Sequence, residues 1–176
     1  LCIVVSPLIA LMKDQVAALQ SKGINAVAIT SEMQKREIDI ALDNCIYGNT
    51  KFLYLSPERL ENELVKTRMQ KMKVNLIAID EAHCISQWGY DFRPSYVKIK
   101  EIRNILPDVP LLALTATATP DVVKDIQKQL LFKKSNFFQK SFERKNLAYV
   151  VLYEEDKLKR LVKVAQSLKG SGIVYA

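Results

Sequence analysis

The chain has 176 residues, of which 49% are hydrophobic, and a formal net charge of +7. That apolar share supports one globular core and excludes an intrinsically disordered chain. Three cysteines, Cys2, Cys45 and Cys84, are odd in number and lack any Cys-x-x-Cys spacing, which argues against a disulfide framework or a zinc site and points to a reducing, cytoplasmic setting.

No apolar run approaches the ~18 residues of a membrane span, and no basic region precedes the opening apolar stretch as it would in a signal peptide. The sequence starts without Met inside a β-branched run, so Leu1 is expected to be a cut edge with more chain upstream. Residues 1–120 hold 14 Lys and Arg against 13 Asp and Glu, whereas residues 121–176 hold 12 against 6. A basic last third favours polyanions, and a solvated basic face is the equally good bland reading.

In chain order, Cys2 to Val5 is a short β-branched run. Leu8, Leu11, Met12, Gln15, Val16 and Leu19 then follow a 3.6-residue period that ends at Gly23. Ala26 to Ile29 is a second run, and Ile38, Leu42, Cys45 and Ile46 form a second helical stripe ending at Gly48. Phe52 to Leu55, Leu76 to Ile79 and Leu111 to Leu114 complete the apolar runs. Ser56-Pro57 and Thr119-Pro120 each put a hydroxyl N-cap before a proline suited to the first helical position. The runs at 76–79 and 111–114 do not alternate with polar residues, which predicts strands covered on both faces, as in a parallel sheet. An α/β layer sandwich follows. In such sheets ligands sit at the carboxyl ends of strands, and Ser6, Thr30, Ser56, Asp80 and Thr115 each follow a predicted strand.

The rhythm changes near residues 133–146. Residues 1–141 are expected to form one domain and 142–147 a linker, with a second domain beginning at 148–176. In that last part, Leu147 to Tyr153 predicts a strand, Asp156 to Leu168 a basic amphipathic helix, and Gly172 to Tyr175 another strand.

The densest stretch is Asp80 to Pro94, DEAHCISQWGYDFRP, which carries the only His and the only Trp of the chain. A carboxylate at the end of a buried strand can hold Mg²⁺, while its neighbour orients and deprotonates a water that attacks a γ-phosphate. The bland reading of Asp80-Glu81 is an acidic helix start. His83 has no second His or cysteine pair nearby to complete a zinc set, and reads better as a hydrogen-bonded relay toward the hydroxyls of Thr115-Ala116-Thr117-Ala118-Thr119. Trp88, Tyr90 and Phe92 with Arg93 suit stacking on bases, at roughly 1–3 kcal/mol per aromatic face, and Gly89 suits a tight turn. In isolation Trp88 would more often be a core residue.

Here DEAH at 80–83 resembles a Walker B motif and TATAT at 115–119 resembles motif III of superfamily 2 helicases. The loop Cys84 to Pro94 resembles the aromatic-rich loop of RecQ DNA helicases. Val5-Ser6-Pro7-Leu8-Ile9-Ala10-Leu11-Met12-Lys13-Asp14-Gln15 is similar to their motif Ia and Ser56-Pro57-Glu58-Arg59 to their motif Ib. The resemblance implies a RecA-like three-layer sandwich with a mostly parallel sheet, and an ATP-dependent helicase of 3′-to-5′ polarity acting on single-stranded and partly duplex DNA. It also implies roles: Asp80 holding Mg²⁺, Glu81 activating water, and His83 with Gln87 coupling hydrolysis to strand binding. Thr115 and Thr117 would belong to the nucleotide site, and Trp88, Tyr90, Phe92 and Arg93 would meet single-stranded DNA. Ser6, Lys13, Ser31 and Arg59 are candidates for DNA-backbone contacts, which add affinity without reading sequence. Arg59 has an alternative as an ion pair with Glu63 one turn on.

Two positions depart from the family. Tyr90 stands where His is usual, and Lys145 where Pro is usual. No Gly-x-x-x-x-Gly-Lys-Ser/Thr occurs, so the phosphate loop for ATP is expected upstream of Leu1, and these 176 residues alone are expected to hydrolyse ATP negligibly. The rival readings are a noncatalytic single-stranded DNA-binding remnant, an RNA helicase of the same superfamily, and a nuclease or translocase subunit using the same motor.

Overall fold

The computed structural model describes residues 1–89, 91–141 and 143–175. The chain folds as two units, Leu1–Asn136 and Phe137–Ala176.

The first unit is built on five short strands, each an apolar run anticipated from the sequence: β1 Cys2–Val5, β2 Ala26–Ile29, β3 Phe52–Leu55, β4 Leu76–Ile79 and β5 Leu111–Ala113. They lie in the order β2-β3-β1-β4-β5, and every pairing is parallel. The register is direct: Val5 stands beside Leu55 and Ile79, so the carboxyl ends of the three central strands are level. Residues just beyond those ends therefore share one edge of the sheet.

Alternate residues of each strand face opposite layers. Ile3, Val5, Leu53, Leu55, Ile77 and Ile79 are all fully buried on one face. Helices α1 Ile9–Gln20, α2 Lys35–Ile46, α3 Glu63–Met69 and α6 Pro120–Gln129 are connected by turns, among them the single turns α4 Pro94–Val97 and α5 Ile102–Ile105. Against the Ile3 face pack Leu42 and Cys45 of α2, Val65 and Met69 of α3, and Val122 and Ile126 of α6. The opposite face carries Val4, Tyr54 and Ala78 and packs on Met12 of α1. That second face is covered only in part, for Leu112 and Leu114 stay 44% and 47% exposed. The expected burial of both faces thus fails at β5: one helix about 10 Å wide spans only two strand spacings of ~4.8 Å.

Both hydroxyl caps were expected, and one forms. Thr119 accepts the Val122 N–H at 3.4 Å, with Pro120 opening α6. Ser56 makes no such capping bond before the 3₁₀ turn Pro57–Glu61.

In the second unit the expected helix is present as α7 Lys157–Ser167, capped by Asp156, whose carboxylate accepts the Lys159 N–H at 3.0 Å. Its residues are all exposed. The strands expected at 147–153 and 172–175 are absent among the described residues of this unit. A strand is held by hydrogen bonds to a neighbouring strand, and no described residue of 137–175 supplies one.

Candidate functional site

The carboxyl edge of the sheet gathers Ser6, Asp80 and Thr115 from β1, β4 and β5. Asp80 follows β4 directly, and its two oxygens have separate donors: the Ser6 hydroxyl at 3.3 Å and the Glu81 N–H at 3.0 Å. The Tyr96 hydroxyl, fully buried, donates to the Asp80 carbonyl at 3.0 Å from below. Burial pushes that phenol far up, so it remains a donor throughout the accessible pH range. Among the described residues no Lys or Arg pairs with Asp80, so each carboxylate oxygen keeps capacity for a hard cation such as Mg²⁺.

Glu81 adopts φ +48° and ψ +43°, a left-handed conformation that costs a residue with a Cβ of order 1 kcal/mol. The neighbouring bonds enforce it. The Glu81 N–H is held by Asp80, and the Ala82 N–H donates to the Leu114 carbonyl at 2.9 Å. The result turns the chain sharply off β4 and brings the Glu81 carboxylate within 3.3 Å of His83 Nδ1. The same ring nitrogen lies 3.1 Å from Thr115 Oγ1, and that oxygen accepts the Thr117 N–H at 3.2 Å. His83 thus meets the 115–119 segment at Thr115. Thr117 joins that contact by its backbone only, since its side chain is exposed.

Beyond His83 the chain makes a 3₁₀ turn, Ala82–Ile85, and then leaves the core. Trp88 is 80% exposed, which decides between the core and surface readings of that residue. Phe92 is half-buried, and Tyr90, named above as a DNA contact, lies outside the described residues. Gly89 is needed for close approach: a Cβ there would sit 2.7 Å from the His83 carbonyl oxygen. Arg93 donates twice to one oxygen of Asp91, at 2.8 and 3.1 Å, and its N–H donates to the Cys84 carbonyl at 2.9 Å. The Arg93 hydrogen bonds hold the Asp91 carboxyl below its usual range.

His83, Cys84 and Asp91 offer three ligand atoms within 4.8 Å of one another. The Asp91 carboxylate is already engaged by Arg93, and burial together with Asp91 pushes the Cys84 thiol up to about 11. Neutral thiol and occupied carboxylate suit a hydrogen-bonded group better than a metal centre.

Several expected contacts stand elsewhere. Ser6, named as a DNA-backbone contact, is 1% exposed and its hydroxyl is bound to Asp80 at the carboxylate site. Arg59 does not pair with Glu63; it donates to the Thr30 carbonyl at 2.8 Å, joining the ends of β2 and β3. Lys13 pairs with Glu32 at 2.6 Å on an exposed surface, and Ser31 beside it is exposed. Gln87 is exposed and is not brought to His83 by any hydrogen bond. Sequence reasoning missed Tyr96, Ser86 and Asp125; for Asp125 the signal was a carboxylate flanking the inward stripe Val122 and Ile126.

Residues 1–126 match the DEAD/DEAH box helicase family. The chain belongs to that family. Among curated relatives of this DEAD/DEAH box chain, it is 47% identical over 175 residues to the ATP-dependent DNA helicase RecQ of Bacillus subtilis, covering 98% of the chain and 30% of that protein. It is 40% identical over 176 residues to the ATP-dependent DNA helicase RecQ of Haemophilus influenzae, covering 99% and 28%. The chain thus spans under a third of the length of these relatives. The fold is similar to the crystal structure of the Pyrococcus furiosus Hef helicase domain, with a TM-score of 0.55 and 21% identity over 76% of this chain and 28% of that one. At that identity the likeness speaks for the helicase fold alone.

Proposed function

We propose that the whole protein containing this chain is an ATP-dependent DNA helicase of RecQ type, moving 3′ to 5′ on single-stranded DNA and unwinding duplex. Residues 1–141 form most of its first motor domain, 142–147 a linker, and 148–176 the start of the second. The observation that carries this reading is the segment 80–89. It begins with a carboxylate pair at the sheet edge and ends in an exposed Trp88, with His83 tied to Thr115 between them. The resemblance to relatives named as RecQ DNA helicases supports the same reading.

Asp80 is the residue that would hold Mg²⁺ with ATP, because its oxygens are oriented by neutral donors and no cation among the described residues neutralises them. A metal held there would supply charge neutralisation at the phosphates. Glu81 takes the proton of the attacking water, and its strained backbone keeps the carboxylate at the sheet edge rather than in the helix that follows. His83 shares its Nδ1 between Glu81 and Thr115, so a change at either is felt by the other. Trp88 and Phe92 stack on bases, while Arg93 exchanges Asp91 for a phosphate or a base face. Lys13, Ser31 and Arg59 line the way to the DNA backbone.

The test is hydrolysis and unwinding by the whole protein. Hydrolysis stimulated by single-stranded DNA, with unwinding of a duplex bearing a 3′ tail and not a 5′ tail, is the expected result. Stimulation by RNA in preference to DNA, or no stimulation by either, refutes it. Trp88→Ala should lower the DNA-stimulated rate more than the basal rate, and equal loss of both would make Trp88 structural.

A further inference from the structure

Two side-chain hydrogen bonds, not one, tie residues 82–89 to residues 115–125, beside the apolar packing of Ala82, Cys84 and Ile85 in the cluster that holds Val122. The first is His83 to Thr115 at the carboxylates. The second lies at the far end of the turn, where the Ser86 hydroxyl donates to Asp125 Oδ2 of α6 at 2.6 Å. Ser86 is fully buried. Its hydroxyl oxygen also accepts the Trp88 N–H at 3.2 Å, and its carbonyl accepts the Gly89 N–H at 3.0 Å.

The order of donors matters. With its hydrogen committed to Asp125, the Ser86 hydroxyl must present a lone pair, and Trp88 is where that lone pair is used. A chain of two hydrogen bonds therefore runs from the α6 carboxylate to the Trp88 backbone, the first of them charge-assisted and short. Asp125 has no Lys or Arg partner among the described residues, and its other oxygen receives only Gln129 Nε2 at 3.4 Å. A partly buried helical carboxylate without a cation is costly, and Asp is a poor helix former, so neither burial nor propensity accounts for it. The hydrogen bond to Ser86 does.

We propose that Asp125 is a positioning residue for the Trp88 loop, fixing it to the helix that follows Thr115 to Thr119. The inference rests on the helicase reading above for its purpose. Segment 115–125 meets His83 at Thr115 and the start of the loop, Ser86, at Asp125, so a shift of that segment reaches both residues at once. Two attachment points are what convert a shift into a rotation of the loop rather than a slack displacement.

Trp88 is the sole tryptophan of the chain, so its emission reports the loop without any activity. Time-resolved anisotropy of the 176-residue chain should show loss of the slow, whole-chain component in Asp125→Ala as nanosecond loop motion appears. Ser86→Ala should give the same loss, and the double variant no more than either alone. Asp125→Asn, which keeps a carbonyl acceptor but not its charge, should fall between the wild type and Asp125→Ala. In the whole protein, Asp125→Ala should lower stimulation by single-stranded DNA by about 10-fold, the scale of one charge-assisted hydrogen bond, with the basal rate retained.

A folded Asp125→Ala chain with wild-type anisotropy overturns the proposal. Should that variant fail to fold, Ser86→Ala decides by the same measurement. Failure of the helicase reading would look different: the wild-type protein would show no DNA stimulation, while the anisotropy changes would persist.

Discussion

Gly89→Ala tests the geometry of the loop most directly. The added methyl would lie 2.7 Å from the His83 carbonyl oxygen and 3.2 Å from that of Ser86. Both oxygens are backbone atoms with fixed roles, since His83 accepts the Ser86 N–H at 3.1 Å and Ser86 accepts the Gly89 N–H at 3.0 Å. Neither can retreat without breaking the turn that follows Glu81. Residue 89 must move outward instead, stretching its own bond to Ser86 and that of Trp88 to the Ser86 hydroxyl. Overpacking of this kind costs about 1–3 kcal/mol, and each weakened hydrogen bond adds ~0.5–1.5 kcal/mol. Because Gln87 and Trp88 are exposed, the loop relaxes before the core does. Global stability should fall by only about 1 kcal/mol, a Tm shift of ~2–4 °C. The native loop should be depopulated by roughly 10-fold or more, at about 1.4 kcal/mol per decade. Thermal melts, and hydrolysis by the whole protein with and without single-stranded DNA, measure the two separately, with Gly172→Ala as control, since a methyl there meets nothing within 4 Å. A Gly89→Ala protein that keeps both its Tm and its full DNA stimulation would refute the reasoning.

Three other outcomes are expected. In the whole protein, Glu81→Gln should lower ATP hydrolysis by about 10²–10⁴-fold while nucleotide still binds, and an unchanged rate would remove Glu81 as the base. Tyr96→Phe should cost about 1 kcal/mol in a denaturant melt, because the Asp80 carbonyl loses the buried hydroxyl that donates to it. Stability should also fall with alkali. Burial raises both the Cys45 and Cys84 thiols to about 11 from the ordinary 9.0, so below about pH 9 folded and unfolded states are equally protonated. Between those values the unfolded chain releases its thiol protons first, and stability declines as pH rises. Cys45→Ala should flatten that decline in melts taken from about pH 8 to 11, and an unaltered slope would contradict it.

The strands and the helices α1, α2 and α6 of the first unit were legible because each is an apolar run, a 3.6-residue stripe ended by Gly, or a segment opened by a hydroxyl residue and Pro, whereas α3, α4 and α5 carried no such signal. That Asp80, Glu81, His83 and Thr115 would be neighbours was legible because a parallel sheet places all strand ends on one edge. Other positions deceived. Ser6 carries a polar side chain in a motif that resembles a DNA-contacting one, yet it is buried against Asp80, 74 residues away in sequence. Arg59 has Glu63 at helical spacing, but the segment begins as a 3₁₀ turn, which rotates the guanidinium toward Thr30. Asp125 was one acid among six in the last third of the chain until the fold set it beside Ser86.

By itself the sequence determined the class of fold, the order of elements, and the chemistry available at Asp80, Glu81, His83 and the Trp88 loop. These depend on local periodicity and on residue type, both of which are properties of neighbours along the chain. Only the tertiary structure decided which hydroxyl serves Asp80, which carbonyl holds Arg59, why Gly89 admits no methyl, and that α6 grips the loop through Ser86. Each of those pairs residues brought together by the sheet register and the packing of helices on its faces, and such distances are set by the whole fold rather than by any stretch of it.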